Sequence, residues 1–270
     1  MLGLVVLTSL LTDEGVRLSV RESGPAHGPA VVLVHGWAQS GEVWPPAESF
    51  HAYAPDLRGH GESDVLADGY RDSATWAGDL RTVLDHTGPA VLVGWSYGGL
   101  VLTDYLRHHG TAAVRGLVLV GAITGIGPDR PGGATGRVMR EALPDALSDD
   151  PEVAVPALLR FCAAQTPGAV PGVDVQRMLG TALRVPARVR RELFRRDVDG
   201  SEVLKAVDRP TLVVHGTADE VVHPAAAEHA AATVPGAEMR WYEAVGHLPF
   251  RERPERFAAD LAAFVAEVGP

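Results

Sequence analysis

Five residues constrain this chain more than any others: Gly94-Trp95-Ser96-Tyr97-Gly98. Ahead of them runs Ala90-Val91-Leu92-Val93, an uninterrupted apolar stretch of the kind that forms a strand buried on both faces. After them Leu100, Val101, Leu102, Tyr105 and Leu106 recur at helical spacing up to His109. A serine between two glycines, at the junction of a buried strand and a helix, is the nucleophile-elbow pattern G-x-S-x-G. The turn is tight, so the serine must adopt a strained backbone that lifts its hydroxyl clear of the sheet. A Cβ at Gly94 or Gly98 would collide with neighbouring backbone, which gives glycine a mechanical reason at both places. In a chain with 30 glycines the pentapeptide alone is weak; the strand before it and the helix after it make it specific.

The rest of the chain supplies more strands of the same kind. Leu4 to Leu11 and Val16 to Arg21 read as a hairpin, the second strand placing Val16, Leu18 and Val20 on one face and Arg17, Ser19 and Arg21 on the other. Ala30 to Val34, Tyr53-Ala54, Arg115 to Val120, Thr211 to His215 and Glu238 to Tyr242 follow, with helices predicted over Trp76 to His86 and Pro254 to Val268. Strands alternating with helices imply a mostly parallel sheet of about eight strands, covered on both faces and carrying its chemistry at the strands' carboxyl ends. Between residues 122 and 207 the pattern changes to short helical pieces broken by Pro144, Pro151, Pro156, Pro167, Pro171 and Pro186. The expectation is a core of residues 1–121 and 208–270, with 122–207 as an inserted helical cap over the strand ends. Within it Arg184, Arg188, Arg190, Arg191, Arg195 and Arg196 read as a solvated basic face. Met139, Leu158, Leu159, Phe161, Met178, Leu183, Leu193 and Phe194 are candidates to line a pocket.

The 270 residues suffice for a substantial core, and a net charge of −10 favours neither nucleic acid nor an anionic membrane surface as a partner. Cys162 is the only cysteine, which removes an intrachain disulfide and a thiolate metal cluster. Met1 to Leu11 lacks a basic leader and reads as an edge strand, and no run reaches the ~18 apolar residues of a membrane span. A cytoplasmic location is the expectation.

A serine hydroxyl needs a base, and the base an orienting carboxylate. In an elbow enzyme these follow in the order serine, acid, histidine. Asp219 stands in a loop just past the Thr211 strand, with Glu220 as its nearest competitor, and His247 stands in the equivalent loop past the last strand. Among the 11 histidines, His35 suits a structural hydrogen-bonding role better, and His60, His108, His109 and His223 fall in turns or helices. An acyl transition state also requires two backbone N–H donors facing the oxyanion, here Tyr97 and, from the loop after the Ala30 strand, Trp37.

With these residues in place, the sequence resembles the α/β-hydrolase superfamily, in the branch with an HGW oxyanion turn and a DLRGHGxS loop. His35-Gly36-Trp37, Asp56-Leu57-Arg58-Gly59-His60-Gly61-Glu62-Ser63, the elbow, Asp219 and His247 match in order. The resemblance implies Ser96 as nucleophile, Asp219 as acid, His247 as base and Trp37 and Tyr97 as oxyanion donors, with no cofactor and no metal. It implies a serine hydrolase acting on a small apolar carboxylic ester or lactone. Same-fold perhydrolase (haloperoxidase-like), C–C hydrolase or lyase chemistry, and more remotely a ligand receptor, stay open. An aspartate-nucleophile relative is excluded by Ser96. The chain departs from the family between Trp44 and Asp56, where only 11 residues stand in place of a full helix and strand.

Overall fold

The computed structural model describes residues 5–168 and 170–269. Its centre is one eight-stranded sheet, built from β1 (Val6–Leu11), β2 (Arg17–Ser23), β3 (Ala30–Val34), β4 (His51–Pro55), β5 (Ala90–Trp95), β6 (Val114–Val120), β7 (Thr211–Gly216) and β8 (Glu238–Tyr242). The spatial order is β1-β2-β4-β3-β5-β6-β7-β8; the first two pairings are antiparallel and the remainder parallel. Leu4, included in the predicted first strand, lies outside the described residues.

Alternation along the strands sorts the core into two layers. Val32, Val34, Leu92, Leu117 and Leu119 face one side, where α1 (Ser73–Thr87), α2 (Tyr97–His109) and α8 (Pro224–Thr233) pack through Trp76, Leu80, Leu100 and Ala226. Val31, Leu33, Val91, Val93 and Val118 face the other, covered by Phe257, Leu261, Phe264 and Val265 of α10 (Pro254–Val268). That spacing of four, three and one is a single helical stripe. The chain between β3 and β4 holds a short 3₁₀ turn, Gly41–Val43, and no α-helix, in keeping with the brief sequence there. Trp44 fills that side, its ring 4.7 Å from Phe250 and 6.4 Å from Phe257.

Between β6 and β7 lie α3 (Arg137–Ala146), α4 (Pro151–Ala163), α5 (Gly172–Arg184), α6 (Ala187–Leu193) and α7 (Ser201–Lys205). Two expectations for this segment need correction. Arg190 and Arg196 are buried rather than part of a solvated basic face, because each meets polar partners in the interior. The other arginines of the run are tied to neighbours: Arg184 to Glu62, Arg188 to the Leu66 and Ala67 carbonyls, Arg191 to Asp149 and Arg195 to Glu192. Leu159 and Leu183 point outward, 44% and 45% exposed. In β2, Ser19 is buried instead of solvent-facing, since the loop after β4 folds over it; its N–H donates to Ser63 Oγ and its carbonyl accepts from Asp56 N–H. Among the described residues no helix is long and apolar enough to cross a membrane.

Candidate active site

The chain runs outward from β3 to β4, then crosses back to lay β5 on the other side of β3. Loops leaving two such neighbours diverge and open a crevice at their carboxyl ends. Val34 of β3 is paired with Gly94 of β5, so His35-Gly36-Trp37 and Trp95-Ser96-Tyr97 emerge side by side. The contact is close: a Cβ on Gly36 would lie 2.9 Å from Ser96 Cβ.

Ser96 sits between β5 and α2 at φ 55° and ψ −120°, a conformation that costs an L-residue on the order of 1–3 kcal/mol. Close packing holds it there. A Cβ on Gly94 would meet Gly98 C at 2.8 Å, and one on Gly98 would meet the Val34 carbonyl at 2.3 Å. The Ser96 N–H donates to Val120 O at 3.0 Å, anchoring the turn to β6, and Ser96 O accepts from Gly99 and Ile123. Among the described residues, the backbone N–H groups of Trp37 and Tyr97 have no hydrogen-bond acceptor.

β7 and β8 deliver the next two side chains. Asp219 Oδ1 accepts from the N–H groups of Val221 (2.8 Å) and Val222 (3.0 Å), which leaves Oδ2 to accept from His247 Nδ1 at 2.7 Å. This bond fixes the tautomer, with the proton on Nδ1 and the lone pair on Nε2. Gly121, one residue past the Val120 carbonyl that anchors Ser96, lies against the pair; a Cβ there would be 3.2 Å from His247 Nδ1 and 3.3 Å from Asp219 Oδ2. The structure thus gathers all five predicted site residues at one end of the sheet. Glu220 pairs outward with Arg137 at 3.5 Å.

The other histidines have different work. His35 Nε2 accepts from Leu57 N–H and Nδ1 donates to the Gly36 carbonyl; burial lowers its pKa to about 4, so it is a neutral brace behind the His35-Gly36-Trp37 turn. His60, its ring 5.1 Å away, bonds the Arg58 carbonyl and is lowered to about 3, again chiefly by burial. Sequence reading overlooked His215 beside Asp219. Its Nε2 lies 3.5 Å from Asp219 Oδ2 but bonds the Val222 carbonyl at 3.1 Å, and burial lowers its pKa. His247 therefore has the stronger claim on the carboxylate.

Three supports of His247 also escape a reading of the sequence. Trp95 Nε1 donates to the His247 carbonyl at 2.9 Å, and His247 N–H donates to Gln165 O, beyond α4, at 2.8 Å. Glu252, in the short helix α9 (Pro249–Glu252), accepts from the N–H groups of Gly246 and Leu248 on either side of His247. An acidic residue five positions past the histidine was the one available signal for Glu252. Trp95 and Gln165 act through long-range contacts that leave no local pattern.

Ser96 is only 6% exposed. Between α5 and the His247 loop is a cavity of about 440 Å³ lined by Gln39, Met178, Leu248 and Glu252, among others. Its wall reaches Leu248, next to His247, and Gln39, two residues past Trp37. The cavity has the size of a small-molecule site, whereas Ser96 itself is not among its lining residues.

Fold and site together are those of an α/β hydrolase with a serine at the elbow. The sequence profile of the alpha/beta hydrolase family matches residues 31–260, and the chain belongs to that family. Among solved structures it is similar to the esterase RhEst1 from Rhodococcus sp. ECU1013, with a TM-score of 0.93 and 42% identity over 97% of this chain and 99% of that one. It is 31% identical to the non-heme chloroperoxidase CPO-A1 of Kitasatospora aureofaciens, over 94% of this chain and 98% of the relative. A pimeloyl-[acyl-carrier protein] methyl ester esterase of Stenotrophomonas maltophilia (strain K279a) is also 31% identical, over 90% and 95%.

Proposed function

We propose that this chain is a serine esterase that cleaves a small carboxylic ester or lactone through an acyl-enzyme on Ser96. The observation that carries the reading is the Asp219–His247 hydrogen bond of 2.7 Å, with the other carboxylate oxygen held by two backbone N–H groups, beside a strained elbow serine. His247 Nε2 takes the Ser96 proton as Oγ adds to the ester carbonyl carbon. Trp37 and Tyr97 N–H groups receive the developing oxyanion. The tetrahedral intermediate collapses, the C–O bond to the alcohol breaks, and His247 returns the proton to the departing alkoxide. Water, deprotonated by His247, then releases the acid from Ser96. Residues 122–207 act as the cap, and the cavity beneath α5 takes part of the substrate. No cofactor or metal enters this scheme, and a cytoplasmic location accords with the single buried thiol of Cys162.

A second reading is favoured by the chloroperoxidase relative: hydrogen peroxide in place of water attacks the acyl-enzyme and leaves as a peracid. The elbow, base and oxyanion donors would serve both, so a product screen with acetate and peroxide separates them.

The decisive test treats wild type and Ser96→Ala with a small fluorophosphonate and records intact masses. One adduct on the wild type and none on the variant is expected. A labelled Ser96→Ala protein, or one keeping more than a few percent of ester turnover, would sink the proposal.

A further inference from the structure

The two oxyanion residues leave different strands, yet one short stretch of the β6–β7 segment, Arg190 to Arg196, holds the side chains of both. On the Trp37 side, the indole Nε1 donates to the Arg190 carbonyl at 3.3 Å, and the Phe194 ring stands edge-on to the indole at 5.5 Å. On the Tyr97 side, the phenol donates to the Leu193 carbonyl at 3.3 Å and accepts from Arg196 Nη1 at 3.0 Å. Arg196 Nη2 meanwhile grips both oxygens of Asp104, two turns along α2, at 2.8 and 2.6 Å. Both side chains of this ion pair are fully buried. A fully buried arginine–carboxylate pair gives rigidity more than stability, because desolvating two charges offsets most of their attraction.

We infer that the Arg190–Arg196 stretch sets the spacing of the two oxyanion donors, with Arg196 and the Tyr97 phenol as positioning residues. The inference rests on the esterase reading above. Neither group touches the substrate. They act by clamping the residues whose backbone N–H groups do, and those groups must meet an oxyanion within a few tenths of an ångström.

The test is Tyr97→Phe, which deletes one hydroxyl and keeps the backbone N–H and the ring. Turnover of a short-chain p-nitrophenyl ester and affinity for phenylboronic acid, whose adduct with serine is tetrahedral, are measured beside the thermal midpoint. Loosening the clamp is expected to lower kcat roughly tenfold with KM within about twofold. Boronate affinity should fall by a similar factor; the buried Arg196 N–H and Leu193 carbonyl left unpaired should lower the midpoint by several degrees, with the protein still fully folded at the assay temperature. Arg196→Lys, which keeps the charge without the planar fork, should lose kcat in the same pattern and less severely than Arg196→Ala. Arg196→Ala strands Asp104 and is expected to lose folded protein, so Tyr97→Phe and Arg196→Lys decide the question. Wild-type kcat and boronate affinity in both of these variants would overturn the inference, as would a kcat loss that only tracks the folded fraction. Failure of the esterase reading is distinguishable: the wild type would then show neither ester turnover nor a fluorophosphonate adduct, and the inference would fall with it.

Discussion

At the residue scale, the site depends on which atom carries the imidazole proton. Asp219 commits one oxygen to two backbone N–H groups and the other to His247 Nδ1. Asp219→Asn would keep the shape of the loop while offering an N–H where an acceptor is needed, turning His247 to the wrong tautomer. On the proposed mechanism kcat should fall on the order of 10⁴ with the thermal midpoint within a few degrees; an active Asp219→Asn enzyme would point to His215 or another route for the proton. Asp219 and His247 could be placed together from chain order alone, because elbow, acid and base follow strand ends in a fixed succession. His215 could not: as the fifth residue of β7 it reads as strand, and only the turn back through Val222 brings it to the acid. Arg196 was equally hidden. Its partner Asp104 lies 92 positions away, and no periodicity within an arginine-rich run signals that two of its members turn inward.

Secondary elements carry the next constraint, at the seam where α2 leaves β5 and crosses β3. The first turn of α2 lies so near β3 that a methyl on Gly98 would overlap the Val34 carbonyl at 2.3 Å and approach the His35 carbonyl at 2.9 Å. Backbone on both sides of the contact cannot give way without moving a strand or a helix. Gly98→Ala should cost about 3 kcal/mol in a urea titration, and an unchanged midpoint would show that the seam can open. The strands were legible because buried parallel strands read as apolar runs. By contrast α8 (Pro-Ala-Ala-Ala-Glu-His-Ala-Ala-Ala-Thr) has no large apolar stripe to give it away, and it packs through alanines alone. Leu159 and Leu183 mislead for the opposite reason: apolar side chains at helical positions read as inward, though helices α4 and α5 bury only part of their circumference.

Across the whole molecule, buried ionisable groups make stability depend on pH. His35 and His60 have folded-state values of about 4 and about 3 against an ordinary 6.5. As pH falls below 6.5 the unfolded chain takes up protons that these two refuse, so stability is full above 6.5 and lost toward pH 4. The loss is on the order of 3 kcal/mol per histidine. Asp104 acts in the other direction. Burial pushes its carboxyl up to about 6 while Arg196 pulls it down, so between pH 6 and its ordinary 3.8 the folded state binds the extra proton and offsets roughly one histidine. Urea midpoints should therefore fall between pH 6.5 and 4, and fall less steeply in His60→Asn; a flat wild-type profile would contradict this account.

The Arg190–Arg196 stretch bears on how such enzymes are redesigned. Exchanging the excursion between β6 and β7 among relatives is an obvious way to borrow a new substrate preference. Here that excursion is not a detachable module, because the same seven residues are bonded to the turns after β3 and β5. A chimera that keeps Asp104 and Tyr97 but imports a segment lacking the inward arginine would bring an uncompensated buried carboxylate along with the new pocket. Grafts in this scaffold should be cut before Arg190, leaving the native stretch in the recipient.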